Sequence, residues 1–235
     1  MHLRETTWPD ADAVETKLAL LPVGSTEQHG PHAPLGTDVL TAETVTDAGA
    51  EAYGGELVVA PAIPVGVAEE HRDFAGTLWV SEDTFRDYVR ETVASLAHHG
   101  WTRVVVVNGH GGNVGPLREV CAEITRHDDA DAWPFKWFDA VDAPDMGHGG
   151  PVETSLLRHS HRDLVDEARL DEAANGGANG WGEWVSSVNL AYDTSEFSEN
   201  GVVGDPREGS AERGEQLLDA ASDALVAVLE RVAKR

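Results

Sequence analysis

The sequence predicts a layered α/β fold built on a mostly parallel sheet. Three observations predict it. Short apolar runs alternate along the chain with stretches of helical spacing. The run Arg103-Val104-Val105-Val106-Val107-Asn108 is apolar on consecutive residues, as in a strand buried on both faces of a parallel sheet. The two unusual glycine-rich loops, 25–37 and 108–113, each follow such a run, where α/β folds place their sites.

In chain order, residues 17–24 (KLALLPVG) predict a buried strand that runs into a polar Gly/Pro loop over 25–37. Residues 38–52 have helical spacing, with Val39, Leu40 and Val45 apolar and Asp38 as an acidic cap at the start. A second strand over 57–60 is cut off by Pro61 and Pro64. Ser81-x-x-Thr84 has a capping-type pattern and opens a helix over 81–97, with Phe85, Tyr88, Val89, Val93 and Leu96 on its apolar face. The valine-rich strand 103–108 follows, then a helix over 114–127 and a strand over 132–138. Residues 151–157 open another helix. A long one over 205–235 closes the chain, with Leu217, Leu218, Ala221, Leu225, Val228 and Leu229 at helical spacing. The Gly/Asn-rich stretch 175–182 predicts a surface loop, so residues 1–235 are expected to form one domain.

An apolar fraction of 41% is that of an ordered protein. Against 42 acidic residues stand 17 basic ones, of which only Lys17, Lys136 and Lys234 are lysine, for a formal net charge of -25. The acids are dispersed, which implies a solvated acidic surface suited to a salt-rich, halophilic cytoplasm. Phosphate backbones need Lys/Arg patches, and none is visible, so a nucleic-acid partner is not expected. Cys121 is the single cysteine and permits no intrachain disulfide; its helical setting suits a small buried hydrophobe. No signal-peptide pattern opens the sequence and no apolar run approaches the roughly 20 residues of a membrane span. A cytoplasmic protein without a membrane partner is the expectation.

Three clusters carry chemistry. In Gly24-Ser25-Thr26-Glu27-Gln28-His29-Gly30, Glu27 and His29 alternate, so an extended segment points both to one side. Asp38 follows a Gly/Pro loop able to return its carboxylate to that side. Carboxylates plus imidazole without a thiolate suit divalent Zn, Mn or Fe. In Asn108-Gly109-His110-Gly111-Gly112-Asn113, His110 stands just past the valine strand. The glycine spacing there fits neither a dinucleotide fingerprint nor a P-loop. In Gly147-His148-Gly149-Gly150-Pro151-Val152-Glu153, Glu153 stands five residues after His148, near a helix start. Each histidine alone could be a solvated turn residue; three clusters in one small domain argue for a site.

GSTEQHGPHAPLGTD, NGHGGN and HGGPVETS, in that order, resemble the creatininase (creatinine amidohydrolase) family. The similarity extends to Pro61-Ala62-Ile63-Pro64-Val65-Gly66, Phe74-Ala75-Gly76-Thr77 and Gly201-Val202-Val203-Gly204-Asp205-Pro206, and so covers most of the chain. The resemblance implies a three-layer α/β fold, a homo-oligomer (dimer or hexamer) and a centre of two divalent metal ions (Fe, Zn or Mn). It implies that Glu27 and His110 hold one metal, His29 the other, and that Asp38 bridges them. His148 would be the catalytic histidine, with Glu153 beside it as a ligand or supporting acid.

Creatinine-hydrolysing members resemble Asn-Gly-His-Tyr-Glu-Asn at the second motif, whereas this chain has Gly112 in place of that glutamate. NGHGGN instead resembles the branch holding the formamide hydrolase of flavin and deazaflavin biosynthesis, which removes formate from a formylamino-ribosylaminopyrimidinone phosphate. The same branch includes enzymes that trim a peptide-derived redox cofactor. The implied activity is hydrolysis of an amide C–N bond in a small molecule, with metals supplying the nucleophile and stabilising the oxyanion, and with His148 moving the proton. Creatinine hydrolysis, peptide trimming and a metal-stabilised binding protein without turnover are the alternatives. Arg72 and Arg207 are the candidates for holding a phosphate.

Overall fold

The computed structural model describes residues 1–235. Its centre is a four-stranded, all-parallel sheet in the order β2-β1-β3-β4, formed by β1 (Leu18–Val23), β2 (Val58–Val59), β3 (Arg103–Asn108) and β4 (Asp131–Lys136). Around it lie α1 (Trp8–Asp12), α2 (Thr37–Tyr53), α3 (Glu82–His98), α4 (Val114–His127), α5 (Pro151–Ser160), α6 (Leu170–Gly176) and α7 (Ala211–Val232). A small antiparallel hairpin, β5 (Trp184–Val185) and β6 (Val188–Asn189), stands apart from the sheet.

The continuous valine run of β3 is explained by burial on two sides. Val104 and Val106 join Phe85, Val89 and Val93 of α3 and Leu117, Val120 and Ile124 of α4 in one core. Val105 and Val107 join Val45 of α2, Leu156 of α5 and Leu217, Leu225 and Leu229 of α7 in a second core on the opposite face. Alternate side chains of a strand point to opposite faces, so only a strand covered on both sides is apolar at every position. The result is three layers, as the family resemblance implies. Each of these fully buried valines stabilises the fold by about 1.5–3 kcal/mol.

The sheet also aligns the functional loops. β1 and β3 are adjacent and in register from Leu18↔Arg103 to Val23↔Asn108, so both strands end at one level. From β1 the chain crosses to β2 on one side and then to β3 on the other. The loops after β1 and β3 therefore part at a switch in strand order, which opens a crevice at the carboxyl edge.

Several element boundaries differ from the sequence expectation. β2 has two residues, because Pro61 and Pro64 lack the amide hydrogens a longer ladder needs. β4 stops at Lys136, and Trp137–Asp139 turn into a 3-10 helix. The C-terminal helix begins at Ala211, where the Ser210 side chain accepts the Arg213 N–H; Pro206–Glu208 form a separate turn under Asp205. Ser81 caps α3 as expected, accepting the Thr84 N–H, but Tyr88 faces solvent. Asp38 is not a cap: Gly36 occupies that position, and the Asp38 carboxylate points away from the helix axis to histidines. The hairpin and α6 fall in and beside stretches expected to be loop. Ser186 and Ser187, both at positive φ, form the hairpin turn without the Asn-Gly signal such turns usually carry. Cys121 is buried in α4, and burial pushes its thiol up to about 12, so it is no nucleophile. No helix is long and apolar enough to cross a membrane.

Candidate metal centre

The NGHGGN turn is held by its own asparagines. Asn108 accepts the His110 N–H at 3.2 Å and donates to the His110 carbonyl at 2.7 Å. Asn113 donates to the Gly24 carbonyl at 3.1 Å and accepts the Val67 N–H at 3.0 Å, which ties the loops after β1, β2 and β3 together. The Glu27 N–H closes its own loop onto the Leu35 carbonyl at 2.9 Å. Gly109 is required because a Cβ there would meet the Asp38 carbonyl at 2.2 Å. Its bareness lets the first turn of α2 press against the end of β3 and delivers Asp38 to the crevice.

The expected residues converge. His29 Nε2 lies 3.1 Å from Asp38 Oδ1 and 3.7 Å from Glu153 Oε1. His110 Nδ1 lies 3.2 Å from both Glu27 Oε1 and Asp38 Oδ2. His148 Nδ1 is 3.9 Å from Glu27 Oε1. All six are buried, and all but His29 line a cleft of about 360 Å³ whose apolar wall is Phe138, Met146 and Trp181.

A divalent ion fits this donor set. Both oxygens of Glu27, Oδ2 of Asp38 and Nε2 of His29 are buried without any hydrogen-bond partner. Leaving such groups unsatisfied costs about 1–3 kcal/mol each, more for charged ones. Close approach without hydrogen bonding is what ligands shared by a cation show. Two triads have ligand atoms mutually within 4.8 Å and consist of expected residues: Glu27, Asp38 and His110, and His29, His148 and Glu153. A third joins Glu27 and His148 to His71.

The electrostatics follow from burial. Desolvation pushes the Glu27 carboxyl up to about 7, reinforced by Asp38 and opposed by His110. Desolvation also works against an ionised Asp38, but His29 and His110 overcome it and hold that carboxyl well below the usual range. Burial disfavours charge on His29 and His110, yet Asp38 and Glu153 for the first, and Glu27 and Asp38 for the second, raise both imidazoles. Burial and the neighbouring His29 lower His148 to about 4.

Sequence reasoning missed His71 and Glu70, which line the same cleft, and Trp181 at its wall. His71 Nε2 lies 3.5 Å from Glu27 Oε1. Both acid and imidazole stand in Glu70-His71-Arg72-Asp73, directly before Phe74-Ala75-Gly76-Thr77, so extending that segment backward would have found them. Trp181 sits in the stretch expected to be a surface loop; it folds back edge-on to His71 and His148, with ring centroids at 5.8 and 6.0 Å. The two arginines expected as phosphate ligands lie elsewhere. Arg72 pairs with Asp193 at 2.7 Å, and Arg207 pairs with Asp205 at 2.7 Å and Asp171 at 3.2 Å, so their charges are already matched outside the cleft.

A three-layer parallel α/β sheet carrying a buried carboxylate–histidine cluster at its switch point defines a hydrolase with a candidate metal site. The creatininase family model, described as creatinine amidohydrolase, matches residues 4–229, and the chain belongs to that family. It is 35% identical over 234 residues to the mycofactocin precursor peptide peptidase of Mycobacterium ulcerans (strain Agy99), covering 96% of this chain and 86% of that one. Similarity to the creatinine amidohydrolase of Pseudomonas putida is 29% over 194 residues, 71% of this chain and 74% of that one. A solved creatininase variant of the Zn–Zn type superposes with a TM-score of 0.84 at 25% identity, covering 100% of this chain and 98% of that one.

Proposed function

We propose that this chain acts as one domain hydrolysing an amide C–N bond at a centre of two divalent ions (Fe, Zn or Mn). Glu27 and His110 would hold one ion, His29 and Glu153 the other, with Asp38 between them. The observation that carries this reading is the set of buried, partnerless donor atoms on Glu27, His29 and Asp38. When bound, such ions lower the pKa of water towards neutrality and stabilise charge on the attacked carbonyl. His148 is the group for the proton: it donates Nε2–H to the Gln28 carbonyl at 2.6 Å, which leaves the Nδ1 lone pair towards the cluster. From there it takes a proton and passes it to the departing amine. Trp181, Phe138 and Met146 keep bulk water from the reacting bond.

For the substrate, a peptide amide is the better fit. The relative with the fullest coverage given above is a peptide peptidase, the cleft has an apolar wall, and neither Lys nor Arg lines it to receive a phosphate. Removal of formate from a formylamino-ribosylaminopyrimidinone phosphate is the second reading, supported by the likeness of NGHGGN to that branch; its phosphate would need a cation from a partner subunit of the homo-oligomer. Side-by-side assays decide. Mass spectrometry would follow cleavage of a mycofactocin precursor peptide by the metal-loaded protein, alongside formate release from the formylamino compound and turnover of creatinine. Cleavage of the peptide alone supports the first reading, formate release alone the second, and turnover of none sinks both substrate readings. The expected setting is the cytoplasm of a cell with high internal salt.

A further inference from the structure

The four histidines of the cluster divide by tautomer. His29 donates Nδ1–H to the Glu27 carbonyl at 3.2 Å, His110 donates Nε2–H to the Val67 carbonyl at 2.6 Å, and His148 donates Nε2–H to the Gln28 carbonyl. A carbonyl only accepts, so once a cation takes the place of any second proton the other nitrogen of each neutral ring offers its lone pair, and in each it faces the carboxylates. That is how metal-ligating histidines are oriented by their outer partners.

His71 is reversed. The Gln28 side-chain amide nitrogen lies 2.8 Å from His71 Nδ1. Its orientation is set by two backbone groups: Gln28 Oε1 accepts the Gly30 N–H at 2.9 Å, and Gln28 Nε2 donates to the Gly201 carbonyl at 3.1 Å. Rotating the amide by half a turn would face oxygen with oxygen and N–H with N–H. Gln28 Nε2 is therefore a donor, and His71 Nδ1 must accept. Thr194 Oγ1 lies 3.1 Å from the same nitrogen and, as a hydroxyl, can donate to it. The proton of a neutral ring then sits on Nε2, the atom facing the cleft, and no hydrogen bond joins it to Glu27 Oε1 at 3.5 Å. An Nδ1 that accepts leaves the ring a single proton, so the imidazole is neutral.

We propose that His71 stays outside the metal shell and presents its Nε2–H to the cleft, as a neutral hydrogen-bond donor to the substrate carbonyl oxygen while that oxygen gains negative charge. The proposal rests on the amide-hydrolase reading for its substrate, but not for the tautomer. A nitrogen bearing a proton offers no lone pair to a cation, which removes His71 from the third triad although its distances allow it. A neutral imidazole is a useful donor here because it adds no positive charge to repel ions beside it. No proton changes hands in this step: the hydrogen bond shortens as the carbonyl becomes tetrahedral and relaxes when the C–N bond breaks.

The test uses the zinc-loaded, ¹⁵N-histidine-labelled protein with His71→Ala and His71→Gln variants, the latter keeping an amide N–H near the Nε2 position. Zinc per chain should be unchanged in both. Two-bond ¹H–¹⁵N spectra of the unmodified protein should place the His71 proton on Nε2 between about pH 6 and 8. With the amide substrate turned over in the side-by-side assays, kcat should fall about 10²–10³-fold in His71→Ala with KM little changed, and recover in part in His71→Gln. Zinc loss that tracks His71→Ala, a proton on Nδ1, or unchanged kcat would each overturn the proposal. If the unmodified protein turns over no amide, the oxyanion role falls with the hydrolase reading. Zinc content and ring tautomer would still decide whether His71 lies outside the shell, even if one variant failed to fold.

Discussion

His29 Nε2 lies 3.1 Å from Asp38 Oδ1 although the residues come from different elements, and no hydrogen bond joins them. The second oxygen of Asp38 faces His110 at 3.2 Å, so one carboxylate stands between two imidazoles that do not otherwise meet.

Replacing Asp38 with Ala should therefore remove more metal than replacing Glu27, His29 or His110, since a carboxylate facing both ligand sets would serve both ions of the proposed centre. Metal analysis of the purified variants checks this. Full occupancy in Asp38→Ala would refute the bridging role.

For His148→Ala, metal content and fold should persist while kcat falls about 10²–10⁴-fold, the usual worth of a positioned acid or base. Amides that release a less basic amine should suffer less. Stoichiometric metal loss would instead make His148 a ligand, which its inward Nδ1 and its place in the His29, His148 and Glu153 triad also permit.

Gly112 has no room for a side chain. A Cβ would meet the Val67 carbonyl at 2.1 Å and His110 Nε2 at 2.6 Å, the two ends of the hydrogen bond that orients His110. Gly112→Ala should destabilise the protein by about 1–3 kcal/mol, measured by urea unfolding, and should weaken metal binding. Installing the glutamate of creatinine-hydrolysing members at this position should do the same, without creating creatinine turnover. A Gly112→Glu protein of unaltered stability that hydrolyses creatinine would contradict this packing.

Arg213 pairs with Asp145 through two contacts, at 2.8 and 2.6 Å, and so anchors α7 to the loop that carries Met146 and His148. The hydrogen bond from Arg213 lowers the Asp145 carboxyl below its ordinary value. A depressed carboxyl stabilises the fold above its unfolded pKa, near 4, and loses that contribution as the pH falls through the folded value. Asp145→Asn should thus cost about 0.2–1 kcal/mol at pH 7, as exposed pairs do, and less as the pH falls to 2. Urea midpoints at the two pH values check this; an equal difference at both would show that the pair is not electrostatic.

Much of this was legible in the sequence because it is local. The valine run of β3 announced two-sided burial, Ser81 announced a helix start, and Glu27, His29, Asp38 and His110 stood in motifs beside strand ends. Chemistry-bearing residue types at strand termini converge wherever a parallel sheet brings those termini to one edge. The hairpin was not legible because its turn residues are two serines held at positive φ, a conformation imposed by context and not by residue type. Arg72 looks like a free cation in sequence, since nothing local shows Asp193 reaching it across 121 positions.

By itself, then, the sequence determined the parallel α/β architecture, the acidic composition and most of the carboxylates and imidazoles that converge, with Glu70 and His71 the exceptions. Those follow from hydrophobic patterning and residue type, which are properties of neighbours along the chain. Only the tertiary structure decided which partner each histidine meets. Which ring nitrogen holds the proton depends on a partner brought by folding: carbonyls for His29, His110 and His148, and for His71 an amide nitrogen whose direction is set by Gly30 and Gly201. Gly201 lies 173 positions from Gln28, and a contact that remote leaves no local trace in the sequence.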